Sequence, residues 1–172
     1  VDYGQNSTII ISPNNGYEID AILIGEDAIA LVDLTEVENG FQYTIENVTE
    51  NKTVQVRFKQ IIYSVTTTTP SNGTVTVETE ELTYGESTKV TFCPEEGFEI
   101  TAITINGDAI DLSNLVKTDS GFEYEITNVM EDKNVEVSYS MIIYHITVGE
   151  IDKDENDNPK GSVTIDVADV PY

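Results

Sequence analysis

Residues Gly97–Gly107 read GFEITAITING, and an earlier stretch that begins at Gly16 reads GYEIDAILIGEDAI. In both stretches a glycine and an aromatic residue are followed by apolar residues that alternate with polar ones. Alternation with a period of two places the apolar side chains on one face of a β-strand and the polar ones on the other. The two stretches therefore predict the same strand, made twice along the chain.

The duplication covers most of the 172 residues. Residues in the first half recur 81 positions later without a gap, as Pro13 recurs at Pro94. We call residues 1–60 the first copy and residues 82–141 the second copy. The segment Gly73–Val77 recurs 88 positions later as Gly161–Ile165, which indicates an insertion of seven residues between Val148 and Gly161. Internal repetition of this kind is typical of repeat architectures.

The segments that alternate are rich in β-branched and aromatic residues, and Gly, Pro and Asn separate them. These features predict an all-β fold of about six short, mostly antiparallel strands in each period. Only Leu31–Thr35 and Leu112–Val116, where leucines lie three apart, suggest a helical turn. No turn residue interrupts Phe58–Thr69, which suggests one long strand there, and the acidic stretch Glu78–Ser87 is the better candidate for a hinge.

Two divisions into modules fit this pattern. The preferred one places module 1 at residues 1–81 and module 2 at residues 82–172. The alternative places a full repeat at 61–141 between partial repeats at 1–60 and 142–172. In that case the C-terminal hairpin needs a docking partner, because an isolated hairpin is marginally stable in water. Strand exchange with another copy of the chain would provide one.

The composition excludes several classes of partner and site. The net charge is −24, from 32 acidic and 8 basic residues, and such a surface repels nucleic acid and anionic lipid. No apolar run is long enough for membrane insertion. Cys93 is the only cysteine, so an internal disulfide and a thiolate metal cluster are both impossible.

The duplicated sequence resembles the divergent internalin-B-type repeat of bacterial surface proteins, a relative of the Listeria–Bacteroides repeat. The resemblance rests on Tyr84-Gly85-Glu86, on the segment Val90–Pro94 that follows, and on Ile105-Asn106-Gly107 and Asn134–Tyr139. It implies two tandem small modules, β-grasp-like or sandwich-like, in an extracellular or cell-surface protein of a bacterium. Where such repeats usually carry a Trp, this chain has Ile22 and Ile103, which argues against ligand stacking there.

The inserted loop carries the sharpest candidate for a ligand site. Asp152, Asp154, Asn156 and Asn158 alternate like the first ligands of a calcium-binding loop. The pattern then departs from such loops, because Asp157 replaces the turn glycine and Val163 replaces the closing glutamate. Calcium is the only cofactor that the sequence suggests, and an elongated acidic hairpin tip is the competing interpretation.

No catalytic constellation is present in the sequence, and we predict that the chain is not an enzyme. His145 is the only histidine, which excludes a catalytic triad, and we expect it at a strand surface. Tyr3, Tyr63, Tyr84 and Tyr144 recur with the repeat; we expect them to pack in the core, and an exposed aromatic face is the alternative.

The predicted role is therefore a non-catalytic stalk, spacer or adhesion-associated repeat that adjoins neighbouring repeats or domains of its parent protein. The alternative is a module that binds a host protein or glycan through loop tips or a free sheet edge.

Overall fold

A computed structural model describes residues 1–166 and 169–171, and the all-β prediction is confirmed. No α-helix occurs in the described part of the chain. The strands are β1 (Gln5–Ile11), β2 (Tyr17–Ile24), β3 (Asp27–Ile29), β4 (Thr35–Val37), β5 (Gly40–Val48), β6 (Val54–Gln60), β7 (Ile62–Thr67), β8 (Gly73–Val77), β9 (Glu81–Thr83), β10 (Thr88–Pro94), β11 (Phe98–Ile105), β12 (Asp108–Ala109), β13 (Val116–Thr118), β14 (Gly121–Ile126), β15 (Lys133–Met141), β16 (Ile143–His145) and β17 (Asp169–Pro171). Within residues 1–166 and 169–171 we find no helix with the length and apolarity needed to cross a membrane.

The two copies fold into the same set of strands. β2 pairs with β6 and β11 pairs with β15 in the same antiparallel register, which ends with Ile24 opposite Val54 and Ile105 opposite Val135. Each ladder is also interrupted by an irregularity at the same place, between Ile19 and Ala21 in the first copy and between Ile100 and Ala102 in the second. The recurrence after 81 residues therefore reflects a repeated structure as well as a repeated sequence.

The two predicted helical turns are present as short 3₁₀ turns, at Leu31–Asp33 and Leu112–Asn114. The second turn is capped by Asp111, whose side chain accepts a hydrogen bond from the Ser113 backbone N–H at 2.9 Å. This bond favours the charged carboxylate and lowers the pKa of Asp111. Ala30 occupies the same place before the first turn and provides no side-chain cap.

The residues group into two compact units. Unit 1 contains Val1–Ser64, Glu81–Ser87 and Thr127–Asp132, and unit 2 contains Val65–Glu80, Thr88–Ile126 and Lys133–Tyr172. The boundary between the units falls within β7, after Ser64. The predicted module limits, 1–81 and 82–172 or the alternative phase, remain predictions.

Unit 1 contains two three-stranded sheets, in the orders β1-β5-β4 and β3-β2-β6. Its core is formed by Ile11 from the first sheet and by Ile19, Ile22 and Ile24 from the second. Ile9, Phe41, Tyr43 and Ile45 of β1 and β5 pack against this cluster. Apolar residues from the inner faces of two sheets thus meet in one core, as in a β-sandwich.

Unit 2 has larger sheets, because strands from the region between the two copies join them. One sheet has the order β13-β14-β10-β8, in which β8 pairs antiparallel with β10. In the other sheet β7 adds to the free edge of β15 in a parallel arrangement, from Val65 opposite Lys133 to Thr67 opposite Val135. Val65 and Val135 are fully buried there, along with Phe92 and Ile103.

The prediction of one long strand through Phe58–Thr69 is wrong. The strand ends at Gln60 and a new one begins at Ile62, because the Ile61 backbone N–H leaves the ladder and donates to the Gly16 carbonyl at 2.8 Å. Ile142 makes the same bond to Gly97 in the second copy, at 2.9 Å. Both copies therefore redirect the chain at the same position.

Candidate functional site

Unit 1 has an open groove of about 680 Å³ beside β1 and β6. Among the described residues β1 pairs only with β5, and β6 pairs only with β2, so one backbone edge of each strand is unpaired. Val1, Tyr3 and Val54 line the groove and are 78%, 83% and 38% exposed. Unpaired strand edges beside exposed apolar side chains are where an additional strand can pair.

The corresponding position in the second copy is covered. The counterparts of Val1 and Val54 are Leu82 and Val135, which are 3% and 0% exposed. The Val135 carbonyl accepts a hydrogen bond from the backbone N–H of Thr68, at 3.3 Å. β7 therefore closes the edge of β15, whereas the equivalent edge of β6 lacks a partner among the described residues.

Asp132, the residue before β15, also holds β7 in place. Within unit 1, the carboxylate of Asp132 accepts hydrogen bonds from the Ser64 backbone N–H at 2.7 Å and from the Ser64 hydroxyl at 3.1 Å. A carboxylate that receives two donors holds the start of the added strand in one position.

β8 is held against the second copy by Tyr139. The Tyr139 hydroxyl donates to the Thr74 carbonyl at 2.7 Å, and burial of the ring raises the Tyr139 pKa to about 12. A Cβ atom at Gly73 would lie 2.5 Å from Cε2 of this ring, so only glycine fits there. Phe58 is the counterpart of Tyr139 in the first copy, and it is 41% exposed.

The recurring tyrosines do not form a core, so that expectation is wrong. Tyr3, Tyr84 and Tyr144 are 83%, 37% and 52% exposed, and Tyr63 is partly buried. Tyr84 has a specific contact within unit 1, where its side chain lies against Gly16 and its hydroxyl oxygen accepts a hydrogen bond from the Asn15 amide at 3.3 Å. The four tyrosines thus lie at the surface or in local contacts, and they do not share a core.

The structure shows the predicted calcium loop stabilised by its own groups. The Asp154 carboxylate accepts from the backbone N–H groups of Asn156 and Asn158, each at 2.9 Å, and these bonds lower the pKa of Asp154. Asp152 forms an ion pair with Lys160 at 2.9 Å. Calcium would have to replace these partners, and calcium binding at Asp152, Asp154, Asn156 and Asn158 remains a prediction.

The other candidate side chains are separate from one another. In residues 1–166 and 169–171 no group of three or more His, Cys, Asp and Glu side chains is arranged to hold a metal ion. His145 lies at the surface of β16, as expected, and contacts Asp169 at 2.6 Å. Cys93 Sγ donates to the Ser120 carbonyl at 2.6 Å, and Ser12 donates to the Asn39 carbonyl in the first copy.

The fold and the groove define a tandem β-sandwich repeat. In one copy adjoining strands pair with the sheet edges, and in the other the corresponding edges have no partner within residues 1–166 and 169–171. Residues 63–140 match the family model described as the divergent InlB B-repeat domain. This match confirms the predicted resemblance for that segment. No curated protein and no solved structure matches the chain.

The family gives a coarse assignment of function. InlB-type repeats occur in bacterial surface proteins, and their repeat domains are generally non-catalytic. The matched residues include β8, all of β7 except Ile62, and residues 82–140 of the second copy. The sequence did not predict the groove or its open edges, although the recurrence of Ile61-Ile62-Tyr63 as Ile142-Ile143-Tyr144 was a signal that a strand follows each copy.

Proposed function

We propose that the chain is a non-catalytic spacer in a bacterial cell-surface protein, with both copies acting as divergent InlB B-repeat modules. The first copy lies outside the matched residues, and its strand register, which is the same as that of the second copy, supports this assignment. Neighbouring repeats or domains of the parent protein are the expected partners. The acidic surface keeps an array of such modules soluble and extended.

The observation that carries the spacer proposal is the make-up of unit 1. This unit combines Val1–Ser64 with Glu81–Ser87 and Thr127–Asp132, so parts of the second copy fold with the first. The Tyr84 side chain contacts Gly16 so closely that a Cβ at Gly16 would lie 2.3 Å from Tyr84 Cβ. A spacer needs a junction that resists bending, and a shared compact unit resists bending better than a flexible linker does.

Distance measurements between spin labels test this proposal. Labels at Val32→Cys and Met130→Cys, in a Cys93→Ser background, lie in the parts of unit 1 that come from the first and the second copy. We expect a narrow distance distribution that broadens in Tyr84→Ala and does not change in Tyr3→Ala, because Tyr3 is 83% exposed at the equivalent position. A distribution that is already broad in the parent protein contradicts a stiff spacer.

A binding role is the second candidate, and the groove in unit 1 favours it. Its exposed apolar lining and unpaired edges fit a protein strand better than they fit a sugar, because backbone pairing uses the edges of β1 and β6. A glycan array distinguishes a host glycan from a host protein as the ligand. Glycan binding that Tyr3→Ala abolishes supports a glycan ligand, and the absence of glycan binding rules that ligand out.

Calcium binding by the inserted loop is a separate proposal. Titration calorimetry of the protein with calcium should give heat that Asp154→Asn removes, if the loop exchanges its internal hydrogen bonds for the ion. Glu150→Gln is a matched control outside the four predicted ligands. The absence of both heat and a shift in melting temperature would refute the site.

A further inference from the structure

The C-terminal hairpin repeats the backbone pairing that completes the second copy. β7 pairs antiparallel with β9, from Ile62 opposite Thr83 to Ser64 opposite Glu81. β16 pairs with β17 in the equivalent register, from Ile143 opposite Pro171 to His145 opposite Asp169. The pair β16–β17 is therefore the structural counterpart of β7–β9.

The apolar side chains after β16 are exposed where their counterparts are buried. Val65 is 1% exposed under the second copy, and its counterpart Ile146 is 51% exposed. Val148 and Val163 are 42% and 60% exposed. These three residues lie outside the assigned strands, and exposed apolar side chains grouped in one segment typically mark an interaction surface.

The groove in unit 1 lacks the elements that this hairpin resembles. The edge of β15 is covered by β7 and that of β10 by β8, whereas the same edges of β6 and β1 are unpaired among the described residues. Val54 is 38% exposed and Ile10 is 60% exposed along them. One chain thus carries exposed apolar residues at the repeat positions of β7 and β8. Elsewhere it has strand edges without a described partner, where β7 and β8 pair in the second copy.

We propose that this groove accepts residues 143–148 of a second copy of the chain as a parallel strand on β6. The known pairing of Lys133, Asn134 and Val135 with Val65, Thr66 and Thr67 fixes the register. When the repeat offset of 81 residues is applied to both strands, this register places Ile146 of the donor opposite Lys52 of the acceptor. Thr147 then faces Thr53, and Val148 faces Val54.

The hydrogen bonds of β7 can be formed again in this register. The Thr66 hydroxyl donates to the Lys133 carbonyl at 3.3 Å, and Thr147 keeps the same hydroxyl. Asn51 replaces Asp132 and still offers a side-chain oxygen to the backbone N–H that Ser64 uses. The acceptor therefore provides hydrogen-bond partners for the donor strand, and the apolar lining of the groove can bury the apolar side chains of the donor.

A glycine in the donor supports the same assignment. Gly161 is the counterpart of Gly73, which must lack a Cβ because of the Tyr139 ring. No atom of the described residues lies within 4 Å of the Cβ position at Gly161, so none of these residues requires a glycine there in the unbound hairpin. Docking of residues 161–165 along β1 brings Gly161 over the exposed Phe58 ring, where a Cβ would clash as it would at Gly73.

A second copy suits the groove because the donor segment, residues 143–148, and the acceptor edge of β6 are different parts of one chain. A contact between different surfaces of identical chains is heterologous, and it produces head-to-tail assemblies. The direction of the donor is also set, because Ile142 turns the chain with the same hydrogen bond as Ile61, which leads into β7. This inference goes beyond the spacer role and does not depend on it.

Sedimentation velocity over a range of concentrations tests the proposal with four variants. We expect the parent chain to associate, and Ile146→Asp in the donor or Val54→Asp in the acceptor to weaken association on the order of 100-fold, because each removes an apolar contact and buries a charge. Gly161→Val should weaken it at least about tenfold. Val32→Asp is the control and should have no effect, since Val32 is 87% exposed in a 3₁₀ turn.

Mixing the variants separates strand donation from other association. Ile146→Asp retains its acceptor and Val54→Asp retains its donor, so an equal mixture should form a dimer and nothing larger. Both substituted residues are partly exposed in the monomer, and far-UV circular dichroism checks that each variant folds. Association that persists in both variants overturns the proposal.

Disulfide trapping tests the register directly. In a Cys93→Ser background, Thr53→Cys with Thr147→Cys should form intermolecular disulfides under mild oxidation, because paired neighbours place the two Cβ atoms within bridging range. Val32→Cys with Thr147→Cys should not. A chain that stays monomeric up to about 1 mM also overturns the proposal, even if a peptide of residues 142–148 binds the groove, because a second copy is then not the occupant.

Discussion

Truncation of one repeat position in each copy should have unequal effects on stability. Val54 and Val135 occupy the same place in β6 and β15, opposite Ile24 and Ile105 respectively. Val135 is fully buried, and Val54 is 38% exposed. The two copies differ at this position in strand pairing, because β7 pairs with β15 and no described strand covers β6.

The expected magnitudes follow from these exposures. Replacing valine by alanine removes two methyl groups, worth about 0.8 kcal/mol each when fully buried. At Val135 a cavity adds to this loss, so we expect Val135→Ala to lower the free energy of unfolding by about 2–3 kcal/mol. About two thirds of the Val54 side chain is buried, and water can fill the space that the two methyl groups leave. Val54→Ala should therefore lower the free energy of unfolding by about 1 kcal/mol.

Urea unfolding followed by far-UV circular dichroism measures both values. The protein should be at about 5 μM, a concentration at which weak association between copies contributes little. Ile10→Ala provides a control on an exposed side chain, at 60% exposure. Equal losses at Val54 and Val135 would refute the conclusion that β7 decides the difference between the copies.

Three further predictions concern single side chains. Absorbance at 295 nm should show one tyrosine that titrates near pH 12, and this component should be absent in Tyr139→Phe. Because the folded pKa lies above the ordinary value of about 10, the free energy of unfolding should fall as the pH rises from about 10 to about 12. A late component that survives Tyr139→Phe contradicts the assignment. Cys93→Ser should change the melting temperature little, since Ser12 makes the equivalent bond, whereas Cys93→Val should lower it. Gly121→Ala should destabilise by more than Gly107→Ala, because its Cβ would lie 2.4 Å from the Phe92 carbonyl oxygen and Gly107 has open space; equal melting temperatures would count against that contact.

Local features of the fold were predictable from the sequence. The alternation in Gly16–Ile29 and Gly97–Gly107 depends only on which face of a strand is buried, so it gave the strands and the repeat register correctly. The leucine spacing gave both 3₁₀ turns. These signals act over a few residues, and the neighbours along the chain are enough to determine them.

The partners of the strands were not predictable in the same way. Val65 and Ile146 occupy equivalent positions, yet one is buried and the other exposed, because burial depends on a strand 68 residues away in sequence at Lys133. The break at Ile61 depends on the distant Gly16 carbonyl. The exposed tyrosines were missed for the same reason, since an aromatic side chain suits either a core or a contact surface.

The central claim is that added strands pair with the second copy and that the first copy lacks such strands within the described residues. Amide hydrogen exchange by mass spectrometry tests this claim most directly. At low micromolar concentration, residues 65–67 of β7 should be protected and the equivalent residues 146–148, which follow the paired strand β16, should exchange fast. At high concentration 146–148 and 52–54 should become protected together. Equal protection of 65–67 and 146–148 in the dilute monomer would contradict the account.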